Sequence, residues 1–389
     1  MLRALSPLSI VLAVLICLIP LPVEAGTTEV RGETGDGAEY AFFVPDGQDG
    51  DTWNRKVVFW AHGYVNPAAP VGLPDGSPII INLRESLLEM GYGVAYSSYS
   101  ANGFAVAEGT RQTHQLRGLF TSHFGKPIRS YVVGHSMGAA ITLALAEKYP
   151  KQYDGVLPAC GIVGGSQMEW DYIYNTRVLF DYFYPGLPGD AVNVPDGLDF
   201  ADVAVFVTGA VSTDPLGALQ MASVEQLGFP DPLIFPELTQ TILNRLFFNT
   251  IGASEIQSRT HGHVNFDNTD TYYTGSLDDG ALNEGVQRFE SHPDADNYMA
   301  HYFQASGKLK TPVLALNNTR DPVVPIAHQD ALLQIVAAAG SSDMLVLQWI
   351  DRFGHCGAIK NEELVKAFLS LVDWVENGVK PMGGHIPLP

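Results

Sequence analysis

Basic residues are scarce in this chain. Its 389 residues include 22 Lys and Arg against 42 Asp and Glu, a formal net charge of −20. A field of that sign repels phosphate backbones and anionic lipid, which argues against nucleic-acid binding. Acidity of this degree serves solubility and says little about a substrate. Charged residues of both signs amount to only 16%, while 46% of the chain is hydrophobic. That composition belongs to a compact, enzyme-like globule and excludes a disordered or fibrous protein. No phosphate-cradling glycine loop and no dinucleotide fingerprint occurs, so no organic cofactor is implied. Internal repeats and low-complexity tracts are also missing.

Cysteine is rare too, with three in all, Cys17, Cys160 and Cys356. Long apolar runs are limited to the start of the chain. Arg3 provides a positive n-region, Leu8 to Ile19 an apolar h-region, and Pro20 and Pro22 lead to Val23-Glu24-Ala25 with small residues at a cleavage position. This pattern predicts a signal peptide over 1–25, since the run is too short to span a bilayer. Ile16 stands before Cys17 where a lipoprotein signal carries a small residue. The expected product is secreted or periplasmic, without stable membrane insertion. It keeps Cys160 and Cys356, which an oxidising compartment can join or leave as two separate thiols.

What is present is an alternation of strands and helices. Lys56-Val57-Val58-Phe59-Trp60-Ala61 is a continuous apolar run, the mark of a strand buried on both faces. Strands are also expected over 39–44, 93–98, 131–133, 155–159, 312–316 and 344–349. Helices are expected over 79–90, 107–124, 137–149, 327–339 and 361–377, with Gly91, Gly340 and Gly378 as C-terminal stops. Such alternation means a mostly parallel sheet covered on both sides, an α/β fold. It lapses between 166 and 306, where aromatics cluster over 170–184. Two helical patterns follow, one through Leu238, Ile242 and Leu246 and one through Leu282, Val286 and Phe289. This block reads as a mainly helical cap over a core made of 26–165 and 307–389.

Gly134-His135-Ser136-Met137-Gly138 follows an apolar strand and opens a helix rich in small residues. That is the setting of a nucleophile elbow, in which glycines permit a strained turn and leave the Ser136 hydroxyl exposed above the sheet. A serine hydroxyl needs a base, and His355 follows the last strand of the core, at the carboxyl edge where open α/β sheets bind ligands. The ring needs an acid to hold its tautomer, and Asp321 follows the strand that starts at Pro312. The other reading of Asp321 is an Asx turn before proline. The Met137 N–H and an N–H from the turn His62-Gly63-Tyr64, assigned to Tyr64, are the expected oxyanion donors.

These four motifs together resemble the α/β-hydrolase superfamily over about 38–165 and 307–378: His62-Gly63, Gly134 to Gly138, Arg320-Asp321-Pro322-Val323 and Gly354-His355. The resemblance implies a serine hydrolase working through an acyl-enzyme, with the cap at the usual position of insertion. The superfamily includes esterases, lipases, feruloyl and polyester hydrolases, aminopeptidases, acyltransferases and C–C bond hydrolases. Ser136 sets the chain apart from relatives with aspartate at the elbow. His355-Cys356 is similar to feruloyl esterases and tannases, whose second cysteine precedes the serine. Here His135 stands there, so that pattern is broken, and the resemblance leaves Cys160 as a candidate partner for Cys356.

A carboxylic-ester hydrolase acting on a small-molecule or polymeric ester is therefore expected. The alternative is an aminopeptidase, for which Glu169, Asp171 and Glu284 are candidate amine-holding carboxylates. A non-catalytic binding protein is a further alternative. His261-Gly262-His263 with Asp267 and Asp270 lacks a third ligand at a characteristic spacing and reads as a polar cap loop, so no metal is expected. The sequence leaves the oligomeric state open.

Overall fold

The computed structural model describes residues 26–47, 52–231 and 234–386. The expected signal peptide at 1–25 lies outside them. The first half of the chain forms β1 (Thr27–Glu33), β2 (Glu39–Pro45), β3 (Lys56–Ala61), α1 (Pro78–Glu89), β4 (Gly93–Ser97), α2 (Val106–Phe124), β5 (Arg129–His135), α3 (Met137–Lys148) and β6 (Gly155–Ala159). Six helices follow: α4 (Ser166–Phe183), α5 (Phe200–Thr213), α6 (Pro215–Ser223), α7 (Phe235–Arg259), α8 (Asp279–Gly285) and α9 (Pro293–His301). The chain then returns to the sheet as β7 (Val313–Arg320), α10 (Ala327–Ala338), β8 (Leu345–Phe353), α11 (Asn361–Asn377) and β9 (Gly384–His385).

The strands make one sheet in the order β1-β2-β4-β3-β5-β6-β7-β8-β9. β2 runs antiparallel to both β1 and β4, and the pairs from β4 onward are parallel. Alternation along β3 shows why its sequence is apolar throughout. Val57, Phe59 and Ala61 enter one core with α2, α3 and α10, while Val58 and Trp60 enter a second with α1 and α11. A strand covered on both sides has no polar face to show.

Two strands were not legible in the sequence. β1 is polar and only half covered, and it forms by pairing along the whole of β2. β9 has two residues, joined to Gln348 and Trp349 of β8. The pattern Leu282, Val286, Phe289 is helical only as far as Gly285; beyond it the chain turns away, and Phe289 N–H donates to Asn268 Oδ1.

The helices at 166–301 pack against one another, α7 touching α4, α5 and α6. Among the described residues no helix is long and apolar enough to cross a membrane.

Candidate active site

Parallel strands deliver their carboxyl ends to one edge, and β3, β5, β7 and β8 deliver the predicted residues there. Ala61 pairs with Gly134, so the turn 62–64 emerges beside Ser136. Ser136 sits between β5 and α3 with φ 56° and ψ −122°. A non-glycine residue in this sparsely populated region is strained, and such strain concentrates at functional sites. The turn is as tight as the glycines allow. A Cβ on Gly138 would lie 2.1 Å from Ala61 O, so a helix at this distance from β3 requires glycine.

Ser136 Oγ lies 3.1 Å from His355 Nε2, and His355 Nδ1 lies 2.7 Å from Asp321 Oδ2. The other oxygen, Oδ1, accepts the N–H groups of Val323 (2.9 Å) and Val324 (3.0 Å). Asp321 therefore makes the Asx-type turn that was its alternative reading and also faces the imidazole. The turn fixes Oδ1, and the ring nitrogen lies against both oxygens, 2.7 Å from Oδ2 and 3.0 Å from Oδ1. Asp321 is fully buried. Burial opposes charging of the His355 ring, but the adjacent carboxylate of Asp321 outweighs it, and the pKa is raised above the ordinary histidine value. The acid thus favours the imidazolium that proton transfer from a serine creates.

His355 is fixed from behind. Gly354 O accepts from Asn318 Nδ2 at 2.7 Å, and Cys356 is joined to Cys160 by a disulfide. Cys160 continues β6, its N–H donating to Leu316 O at 2.8 Å. The bond closes the question that composition left open and ties the histidine loop to the sheet.

The oxyanion candidates lie on both sides of Ser136. Met137 is the first residue of α3, where N–H groups have no intrahelical acceptor. Across from it a Cβ on Gly63 would come within 3.1 Å of Ser136 Cβ. Gly63 O accepts from His62 Nδ1 at 2.8 Å. Because a trans peptide points its C=O and N–H oppositely, that bond turns the Tyr64 N–H away from His62. Burial pushes the His62 pKa down to about 4, so the ring is neutral near pH 7. Its Nδ1 makes the shorter of its two carbonyl contacts, the other being Nε2 to Ser98 O at 3.3 Å. Tyr64 packs edge-on against Phe248 of α7, ring centroids 5.5 Å apart.

The competing histidines are accounted for. His135 is buried and accepts from Trp60 Nε1 at 2.8 Å, and burial pushes its pKa down to about 3. His328, which the sequence did not single out, is fully buried with Nε2 3.0 Å from Glu169 Oε2. Glu169 is thus engaged. Asp171 accepts from Gln167 and burial raises its pKa to about 6, and Glu284 is exposed on α8. Glu169 and Asp171 are thus engaged by neighbouring side chains, while the Glu284 carboxylate faces solvent. His261, His263, Asp267 and Asp270 do not come together; His263 instead meets His292 and Asp294.

Arg245 of α7 was also missed. It is fully buried and donates from Nε to Pro322 O (3.2 Å), from Nη1 to Leu227 O (2.5 Å) and Thr176 Oγ1 (3.4 Å), and from Nη2 to Gly228 O (3.3 Å). Burial lowers its pKa to about 10. An amphipathic reading of α7 places position 245 beside Ile242 and Leu246 but gives no sign of a charge there.

Residues 46–183 match the Esterase family model, described as "Putative esterase". No curated sequence relative matches the chain. Among solved structures, an esterase from Aspergillus oryzae is 13% identical with a TM-score of 0.53, over 91% of this chain and 80% of that one. The acylaminoacyl peptidase of Pyrococcus horikoshii is 10% identical (TM-score 0.44) over 90% of this chain, which spans only 41% of the peptidase. The rice cell wall degrading esterase LipA of Xanthomonas oryzae is 14% identical (TM-score 0.43), over 90% and 89%. At such identities the likeness to the Aspergillus enzyme speaks for the fold alone, which is that of the α/β-hydrolases.

Proposed function

We propose that this chain, an α/β-hydrolase by fold, is a secreted serine hydrolase that cleaves carboxylic esters through an acyl-enzyme. The observation that carries the reading is the line of contacts from Ser136 Oγ through His355 to Asp321, at 3.1 and 2.7 Å. In the proposed reaction His355 Nε2 takes the Ser136 proton as Oγ attacks the ester carbonyl. The Met137 and Tyr64 amides hold the oxyanion. His355 then gives the proton to the leaving alcohol. Water, activated by the same ring, attacks the acyl-enzyme and releases the acid, and Asp321 orients the ring throughout.

The esterase family match over 46–183 supports an ester over a peptide. The engagement of Glu169 by His328 also favours the ester, since an aminopeptidase needs a free carboxylate near the nucleophile. The Cys160–Cys356 disulfide supports an oxidising compartment, in line with secretion. Helices α4–α9 act in this reading as the cap, with Tyr64 and Phe248 at its junction with the core.

Labelling with a fluorophosphonate, followed by aryl esters and aminoacyl anilides as substrates, tests the proposal. The wild type is expected to label and to prefer esters, and Ser136→Ala to lose both properties. An unlabelled wild type overturns the hydrolase, and a preference for anilides overturns the esterase.

A further inference from the structure

His263 follows α7, and His292 immediately precedes α9; 29 residues separate them in sequence. The backbone brings them together, since His292 N–H donates to Val264 O at 2.9 Å. Asp294, in the first turn of α9, completes a group of three. Its Oδ2 lies 3.9 Å from His263 Nε2 and 3.8 Å from His292 Nδ1, and the ligand atoms of all three residues lie within 4.8 Å of one another. We propose that His263, His292 and Asp294 form a surface site for a borderline transition-metal ion of the zinc type, which clips the end of α7 to the start of α9.

The chemistry of the donors selects the ion. Two imidazoles and one carboxylate suit Zn²⁺, Cu²⁺ or Ni²⁺ and do not suit Ca²⁺ or Mg²⁺, which take oxygen ligands. The spacing suits it as well. Tetrahedral zinc with bonds of about 2.0–2.1 Å holds its ligand atoms roughly 3.3–3.4 Å apart. Two of the edges here are about half an ångström wider than that. The rings stack face to face with centroids 3.7 Å apart and 6° between planes, so their nitrogens do not yet point at a common centre. All three side chains are accessible enough to turn, with side-chain exposures of 37, 46 and 71%. His292 Nδ1 now accepts the Asp294 N–H at 3.2 Å as the cap of α9, and coordination exchanges that bond for one to the metal. The surroundings favour a cation, because Asp267 and Asp296 both accept from Ser291, beside His292. A fourth position stays open to water.

Such a site belongs to the helical segment between β6 and β7 and is independent of the reaction proposed for Ser136. Its sequence signal was hidden because only His263 falls in the His-Gly-His run, while its partners come from the far side of α8.

Isothermal titration of the EDTA-treated full chain with ZnCl₂, with MgCl₂ as control, tests it. The expected result is one saturable Zn²⁺ site of micromolar dissociation constant and no Mg²⁺ binding. His263→Ala and His292→Ala should each weaken Zn²⁺ binding at least ~10-fold, the scale on which losing one metal-site contact acts. Thermal melts in EDTA provide the control for folding: His263→Ala should match the wild type, while His292→Ala, which also loses the cap of α9, should melt somewhat lower but still cooperatively. Zn²⁺ should raise the melting temperature of the wild type only. Absence of a saturable site below 1 mM (about 4 kcal/mol of binding free energy) overturns the proposal. Undiminished binding by either variant overturns it as well.

Discussion

Gly63 and Ser136 are packed so closely that an added methyl group fits only if its neighbours give by a few tenths of an ångström. A Cβ on residue 63 would lie 3.1 Å from Ser136 Cβ and 3.2 Å from His135 O. The backbone neighbour cannot rotate aside, so the turn 62–64 has to retreat. Gly63→Ala should therefore displace the Tyr64 N–H by tenths of an ångström and lower kcat by about 10-fold, less than the roughly 10²–10³-fold of losing an oxyanion donor outright. Steady-state kinetics on an aryl ester, with a thermal melt to verify folding, checks this. A kcat within twofold of wild type removes Tyr64 from the oxyanion assignment.

The pH dependence follows from His355 and Asp321. The ring acts as a base only when neutral, so kcat/KM rises with pH through its pKa. Asp321 raises that pKa above 6.5, which places the acid limb above 6.5. In Asp321→Asn the largest raising influence is gone while the cost of burying charge remains, so the limb should move to lower pH. At the same time kcat should fall by about 10³–10⁴-fold, as when a triad acid is neutralised elsewhere. A pH–rate profile of both proteins measures the two effects together. A limb that stays in place in the variant denies Asp321 its role.

The disulfide closes a loop of 196 residues. Breaking such a link typically costs about 2–5 kcal/mol of stability. Here it also releases the residue next to His355, and a displacement of about 1 Å in a reacting group costs on the order of 10²-fold in rate. Paired Cys160→Ser and Cys356→Ser substitutions are expected to lower both the melting temperature and kcat. Urea unfolding and ester hydrolysis read the two separately. Loss of stability with unchanged kcat makes the disulfide a staple of the fold alone.

Sequence and structure agree best where local chemistry is strongest. The run Lys56 to Ala61, the Gly-x-Ser-x-Gly turn and the Asp321-Pro322 turn each carry their own signal, in apolar continuity or in residues that tolerate strain. The helices at 79–90, 107–124 and 361–377 recur within one or two residues. What escaped depended on partners distant in the chain. β1 owes its form to β2, since its own sequence alternates no apolar face. His328 looked like any helix residue until Glu169 and the Gly164 N–H met it, the latter 3.0 Å from Nδ1. Helices α5 and α6 went unseen for another reason. Val205, Leu216 and Leu219 are more than half exposed, so their apolar residues do not fall on one face.

Arg245 links the helical segment to the proposed acid through a carbonyl. In Arg245→Met the oxygens of Leu227, Gly228 and Pro322 lose a charged donor inside the protein, and the expected cost is about 1–3 kcal/mol for the groups left unpaired. Denaturant titration measures it; a variant as stable as the wild type shows that those oxygens find other partners.

The anchoring by Arg245 also restricts how a substrate reaches Ser136. Swinging the helical segment away from the sheet would pull a fully buried cation off Pro322 O, the one of its four oxygens that lies outside that segment. Opening at that point therefore costs one charge-assisted contact inside the protein. Pieces without such a tether move at lower cost, so the approach to Ser136 is expected to depend on them more than on the Arg245 turn of α7.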